Sequence, residues 1–117
     1  MIDSVVKQST MRFFFAILAT LFFAAPVWAV DVTMGSGGNL IFEPSDVTIS
    51  PGETIHFVNG MLPPHNIIVE GHADLSRESL MFNPGESQDI IFADAGDYTF
   101  FCGPHQGAGM TGTIHVN

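Results

Sequence analysis

The chain is poor in cysteine and in positive charge: one Cys and three Lys or Arg stand against 12 Asp or Glu in 117 residues. A single thiol excludes an internal disulfide, so packing has to hold the fold without a covalent staple. The few cations are also unevenly placed. Lys7 and Arg12 lie in the first dozen residues, leaving Arg77 as the only cation beyond them, and residues 30–117 therefore carry 1 minus 11, a net charge of −10. Such a surface repels nucleic-acid phosphate and anionic lipid, which removes both as partners and favours a basic protein face. A sustained helical period is missing throughout, which argues against a bundle or coiled coil.

The longest apolar run, Phe13 to Ala25, falls short of the ~20 residues that a membrane span needs. Lys7 and Arg12 precede it, and Val27 and Ala29 supply small residues just before Val30. Residues 1–29 are thus expected to be a secretory signal peptide, with Met1 or Met11 as its start, and no stable membrane insertion is expected after its removal. Residues 30–117 suffice for one small domain with a modest core. Export delivers that domain to a compartment where free thiols tend to be oxidised. Its lone Cys102 then has four readings: an intermolecular bridge, a reactive nucleophile, a metal ligand or an inert buried thiol.

Short alternating runs dominate the domain. Val47 with Ile49, Ile55 with Phe57, Ile90 with Phe92, and Ile114 with Val116 each alternate with other residues. Turn-forming stretches such as "GSGG", "EPSD", "SPGE", "NPGE" and "ADAGD" separate these runs. Strands are expected near 31–34, 40–42, 46–49, 54–59, 66–69, 87–92, 97–102 and 112–116. Seven or eight such strands with one apolar face each define an all-β sandwich around a single core. The segment Gly71–Leu80, "GHADLSRESL", lacks strand character and reads as a loop or a single helical turn.

Chemistry concentrates in "FFCGPHQGAGM", residues 100–110. Cys102 closes a strand run, Gly103 and Pro104 turn the chain to present His105, and the following glycines let it fold back to Met110. Three soft or borderline donors on one loop suit a metal that needs a fourth donor from elsewhere. Of the remaining histidines, His56 and His115 occupy the polar positions of alternating strands and are expected to face solvent, as is His72 in its acidic segment. His65 differs, since it follows two prolines and begins an apolar strand. Two imidazoles, a thiolate and a thioether form the donor set of a blue-copper centre, with zinc as the runner-up metal. A cysteine nucleophile is disfavoured because no acid lies near His105 in sequence to orient it as a base.

The stretches "FEPSDVTISPGETIHFVNGMLPPHNIIVEGHADLSRESLMFNPGES" and "GDYTFFCGPHQGAGMTGTIHVN" resemble the plastocyanins, and the short segment "EGHADLS" resembles their cyanobacterial form. The resemblance implies a Greek-key, cupredoxin-like sandwich with one type 1 copper ion, cycling between Cu(I) and Cu(II), at one end. It assigns ligand roles to His65, Cys102, His105 and Met110. It further implies a monomeric electron carrier rather than an enzyme, passing electrons from cytochrome f of the cytochrome b6f complex to photosystem I in the thylakoid lumen. An apolar docking face around His105 would come from Leu40, Met61, Leu62, Pro63 and Pro64, and Asn66 would brace the copper loop. Two departures bear on docking: Phe101 stands where the family has a tyrosine, and Gln106 where cyanobacterial members often carry arginine. The alternatives are a blue-copper donor to a non-photosynthetic periplasmic reductase and a copper storage or delivery protein. The absence of Met-rich or His-rich tracts counts against the latter.

Overall fold

The computed structural model describes residues 29–117; the expected signal peptide, apart from Ala29, lies outside the described residues. Nine strands follow in chain order: β1 (Ala29–Met34), β2 (Phe42–Glu43), β3 (Asp46–Ile49), β4 (Glu53–Asn59), β5 (His65–Val69), β6 (Arg77–Met81), β7 (Ser87–Phe92), β8 (Gly96–Phe101) and β9 (Thr111–Val116). They form two mixed sheets, a four-stranded one ordered β2-β1-β4-β7 and a five-stranded one ordered β3-β9-β8-β5-β6. The parallel pairs are β1 with β4 and β3 with β9, and the other pairs are antiparallel. This is the expected Greek-key sandwich.

The alternation in sequence becomes the burial pattern. Val47 and Ile49 of β3, Ile90 and Phe92 of β7, and Ile114 and Val116 of β9 are all buried, while their neighbours are less so. Phe42, Phe57 and Phe100 meet edge-to-face at the centre, with ring centroids 4.6 to 6.4 Å apart, the arrangement that aromatic quadrupoles favour. The Phe100 ring comes so close to β9 that a Cβ at Gly112 would lie 2.4 Å from it and from the Ser45 carbonyl oxygen.

The two look-alike turns close identically. In Ser50–Glu53 and in Asn83–Glu86, the first residue's N–H donates to the glutamate Oε1 at 3.0 and 3.1 Å. The glutamate N–H in turn donates to the first residue's carbonyl, at 3.1 and 3.2 Å. Gly52 and Gly85 both take φ of 88°, the left-handed conformation that this turn demands of its third residue.

One expectation fails. Gly71–Leu80 was expected to be loop or helical turn, but Arg77–Met81 is the edge strand β6. Only Met81 of β6 is buried, and its pairing with β5 shifts register between His65 and Ile67, so no period of two reaches the sequence. Arg77 secures this edge: its guanidinium donates to the carbonyls of Leu75, Ser76 and Asp89, each at 3.1 Å, and the last of these joins β6 to β7 of the opposite sheet.

Filling the space between Gly112 and Phe100 should be costly. Gly112→Ala is expected to lower the urea unfolding midpoint, through a stability loss on the order of 1–3 kcal/mol from overpacking. An unchanged midpoint would mean that the Phe100 ring moves freely, contrary to the packing described.

Candidate metal centre

Cys102 follows the last residue of β8 and is fully buried. The chain then forms a 3-10 helix, Gly103–Ala108, with Pro104 in its first turn. The loop is tied to itself: the His105 N–H donates to the Cys102 carbonyl at 3.2 Å, the Met110 N–H to His105 O at 3.3 Å, and the Cys102 N–H to Met110 O at 3.1 Å. Gly109, at φ of 84°, ends the helix in a left-handed cap and lets the chain return so that Met110 is buried before β9.

The strand β5 supplies the histidine from the other side. His65 is fully buried, and its Nε2 lies 2.7 Å from the Met61 carbonyl oxygen. A carbonyl only accepts, so Nε2 carries the proton and Nδ1 presents its lone pair. That Nδ1 lies 3.7 Å from Cys102 Sγ, and Nδ1 of His105 lies 3.5 Å from the same sulfur. The ligand atoms of His65, Cys102 and His105 all fall within 4.8 Å of one another. The imidazole rings stand 5.1 Å apart at 62°.

Burial raises the Cys102 thiol's pKa, although the backbone N–H groups of Asn66 and His105 pull it back toward the thiolate. Burial, and then the nearby His65, lower that of His105. Both effects favour neutral imidazole beside a sulfur that only a cation would fully deprotonate, which suits a thiophilic metal ion. A nitrogen from each of two imidazoles and one sulfur converge within 4.8 Å.

Further support comes from the side chain of Asn66 and from Gly35. Asn66 Oδ1 accepts from the Gly103 N–H at 2.7 Å, and its Nδ2 donates to Glu78 O at 3.1 Å, so one buried amide joins β5, β6 and the Cys102 loop. Gly35, at φ of 78°, lies against the carbonyl that anchors His65. A Cβ there would sit 1.8 Å from Met61 O and 2.8 Å from His65 Nε2. Asn66 was legible in sequence, whereas Gly35 was not, because "MGSGG" reads only as a turn.

His65, Cys102 and His105 come together as expected, with Met110 closing the loop behind them. His56, His72 and His115 stay away from the cluster. His72 is exposed, while the half-exposed His56 and His115 face outward and pair with carboxylates. Of the residues expected to form an apolar face, Met61 and Leu62 are 57% and 45% exposed, Pro63 is exposed, and Leu40 and Pro64 are half-buried. Phe82, which directly follows the buried Met81 opposite His65, is 58% exposed and went unremarked in the sequence, since an apolar residue before a turn carries no sign of its face. Among the described residues, no helix is long and apolar enough to cross a membrane.

A two-sheet sandwich that converges soft donors at one end defines a small metal-binding protein of the cupredoxin class. The profile of copper-binding proteins of the plastocyanin/azurin family matches residues 28–117, and the chain belongs to that family. It is 38% identical to plastocyanin from Nostoc punctiforme over an alignment of 134 positions, covering 95% of this chain and 96% of that protein. Plastocyanin from Scenedesmus fuscus is 48% identical over 97 positions, 74% of this chain and 99% of that one. Oxidised plastocyanin from Dryopteris crassirhizoma superposes with a TM-score of 0.67 at 31% identity, over 75% of this chain and all of the fern protein. Amicyanin from Paracoccus versutus gives 0.62 at 30%, over 80% and 86%. The metal is accordingly copper, and the chain is a copper electron carrier of the cupredoxin type.

The tie between Gly35 and His65 is testable. Gly35→Ala is expected to speed copper loss to a chelator and to lower the unfolding midpoint, the left-handed backbone alone costing about 1–2 kcal/mol. Parent-like behaviour in both assays would show that displacing Met61 O has no consequence for His65.

Proposed function

We propose that His65, Cys102, His105 and Met110 hold a single copper ion, and that the protein carries electrons one at a time from cytochrome f of the cytochrome b6f complex to photosystem I. The observation that carries this reading is the convergence of His65 Nδ1, Cys102 Sγ and His105 Nδ1 within 4.8 Å at one end of the two-sheet sandwich. When bound, copper supplies a one-electron couple at a potential that the donor set tunes.

The protein's own residues do the rest. Thiolate and thioether suit Cu(I), imidazole suits Cu(II), and a loop pinned by Asn66 leaves neither state room to relax. Little rearrangement then accompanies each electron. The fully buried His65 and Cys102 keep water out, while the half-buried His105 opens onto the apolar surface formed by Leu40, Met61, Leu62, Pro63 and Pro64. That surface is the docking face, and His105 is the point where electrons enter or leave. Phe101 is half-buried beside Cys102 and offers an apolar ring, with no hydroxyl, toward any partner on that side.

Residues 1–29 serve as the export signal, and the carrier works in the thylakoid lumen or an equivalent periplasmic space as a monomer. The charge of −10 steers it toward a basic face on its partner. Glu70, Asp74 and Glu78 are all exposed, and Arg77 beside them spends its donors on three carbonyl oxygens. Long-range attraction fades beyond a screening length of about 8 Å at physiological salt. Charge therefore sets the rate of encounter, and the apolar face makes the productive contact.

Stopped-flow oxidation of cytochrome f by the copper protein tests both halves of this reading. Second-order transfer that slows as salt rises is expected. Replacing Glu70 and Glu78 by Gln together with Asp74 by Asn should lower the rate several-fold at low salt, flatten the salt dependence and leave the visible spectrum unchanged. Failure of the parent to oxidise cytochrome f would overturn the partner. An unchanged rate in the triple variant would overturn the steering.

A further inference from the structure

His115 lies toward the end of β9 remote from Met110, on the outward face of the five-stranded sheet. Its two ring nitrogens meet two different carboxylates. Nδ1 is 2.8 Å from Asp97 Oδ1 on β8, the residue directly opposite it in the ladder. Nε2 is 2.8 Å from Asp46 Oδ1 on β3, diagonal to it across Thr48. A neutral imidazole has one N–H and one lone pair, whereas an ionised carboxylate only accepts. The Asp97 contact is a hydrogen bond and the Asp46 contact a close ion pair. A bare nitrogen lone pair facing an ionised carboxylate at either distance would be repelled, so the geometry suits an imidazolium held between two carboxylates.

Strand β3 is an edge of only four residues whose one neighbour is β9, yet it delivers Val47 and Ile49 to the core. A side-chain link running from β3 through β9 to β8 therefore holds an edge strand to the interior of the sheet.

We propose that His115 is a proton-operated clasp, fastened when its imidazole carries both protons and released when it loses one, which fixes edge strand β3 to β9 and β8 independently of the copper centre. The charged groups facing it are Asp97 from β8 and Asp46 from β3. The remaining neighbours, Thr48 of β3 and Thr113 of β9, are uncharged. The Asp97 hydrogen bond is the largest influence on the imidazole and raises its pKa; desolvation opposes this, and the charges of Asp46 and Asp97 add to the rise. A group whose pKa is raised by folding contributes stability that is full below its ordinary value, about 6.5 for imidazole, and is lost as pH climbs through the folded value. The clasp thus strengthens the fold in mildly acidic surroundings and weakens it in alkaline ones.

Two measurements on the copper-loaded, reduced protein test the clasp. In an NMR titration, His115 should change protonation above the ordinary imidazole range, and Asp97→Asn and Asp46→Asn should each bring it down. In urea, the parent should exceed His115→Gln in unfolding midpoint near pH 6, with the gap closing by about pH 9, while copper binding stays the same in both. Titration of His115 at or below the ordinary value, or no response to either aspartate change, would overturn the proposal even if His115→Gln failed to fold. A midpoint gap equal at both pH values would overturn it as well.

Discussion

The hydrogen bond from His65 Nε2 to the Met61 carbonyl decides what the rest of the site is able to do. It consumes the only N–H of a neutral imidazole and so turns Nδ1, with its lone pair, toward Cys102 Sγ. The acceptor is a backbone atom held in place by the close approach of Gly35, and the donor ring is wholly buried. Neither end of the bond has another place to go. A rotated His65 would leave Met61 O without its partner and point an N–H at the sulfur, so the orientation is settled by backbone packing before any metal arrives.

Preorganisation of this kind suits a carrier. A donor set that must be assembled at each change of oxidation state makes transfer slow, while one built into a sandwich does not. The buried Asn66 amide completes the arrangement by joining β5, β6 and the Cys102 loop, so that the histidine side and the cysteine side of the site move as one body. Of the two histidines and the cysteine, only His105 reaches the surface. The His115 tie involves none of these residues, so this stabilising contact and the redox chemistry rest on different side chains.

Much of this was readable along the chain. Cys102, His105 and Met110 share one loop, where spacing and glycines announce a turn-back, and His65 is marked by two prolines ahead of an apolar strand. Four strands declared themselves by alternation, and four more as short runs between turn-forming stretches. β6 did not, since an edge strand with a register shift buries only Met81 and leaves no period to detect. Gly35 was hidden for a different reason: the Met61 carbonyl it approaches lies in a distant loop, and no local pattern encodes that contact. The outward direction of His115 followed from its place in the strand, but its partners Asp46 and Asp97 sit on two other strands that only topology brings beside it.

The most direct test is a crystal structure of the copper-loaded protein in both oxidation states. The account predicts one copper ion bonded to Nδ1 of His65, Nδ1 of His105 and Sγ of Cys102, with His65 Nε2 still on Met61 O and these side chains unmoved between the two states. Copper bound through Nε2 of His65, or seated at His56 or His115 instead, would contradict it.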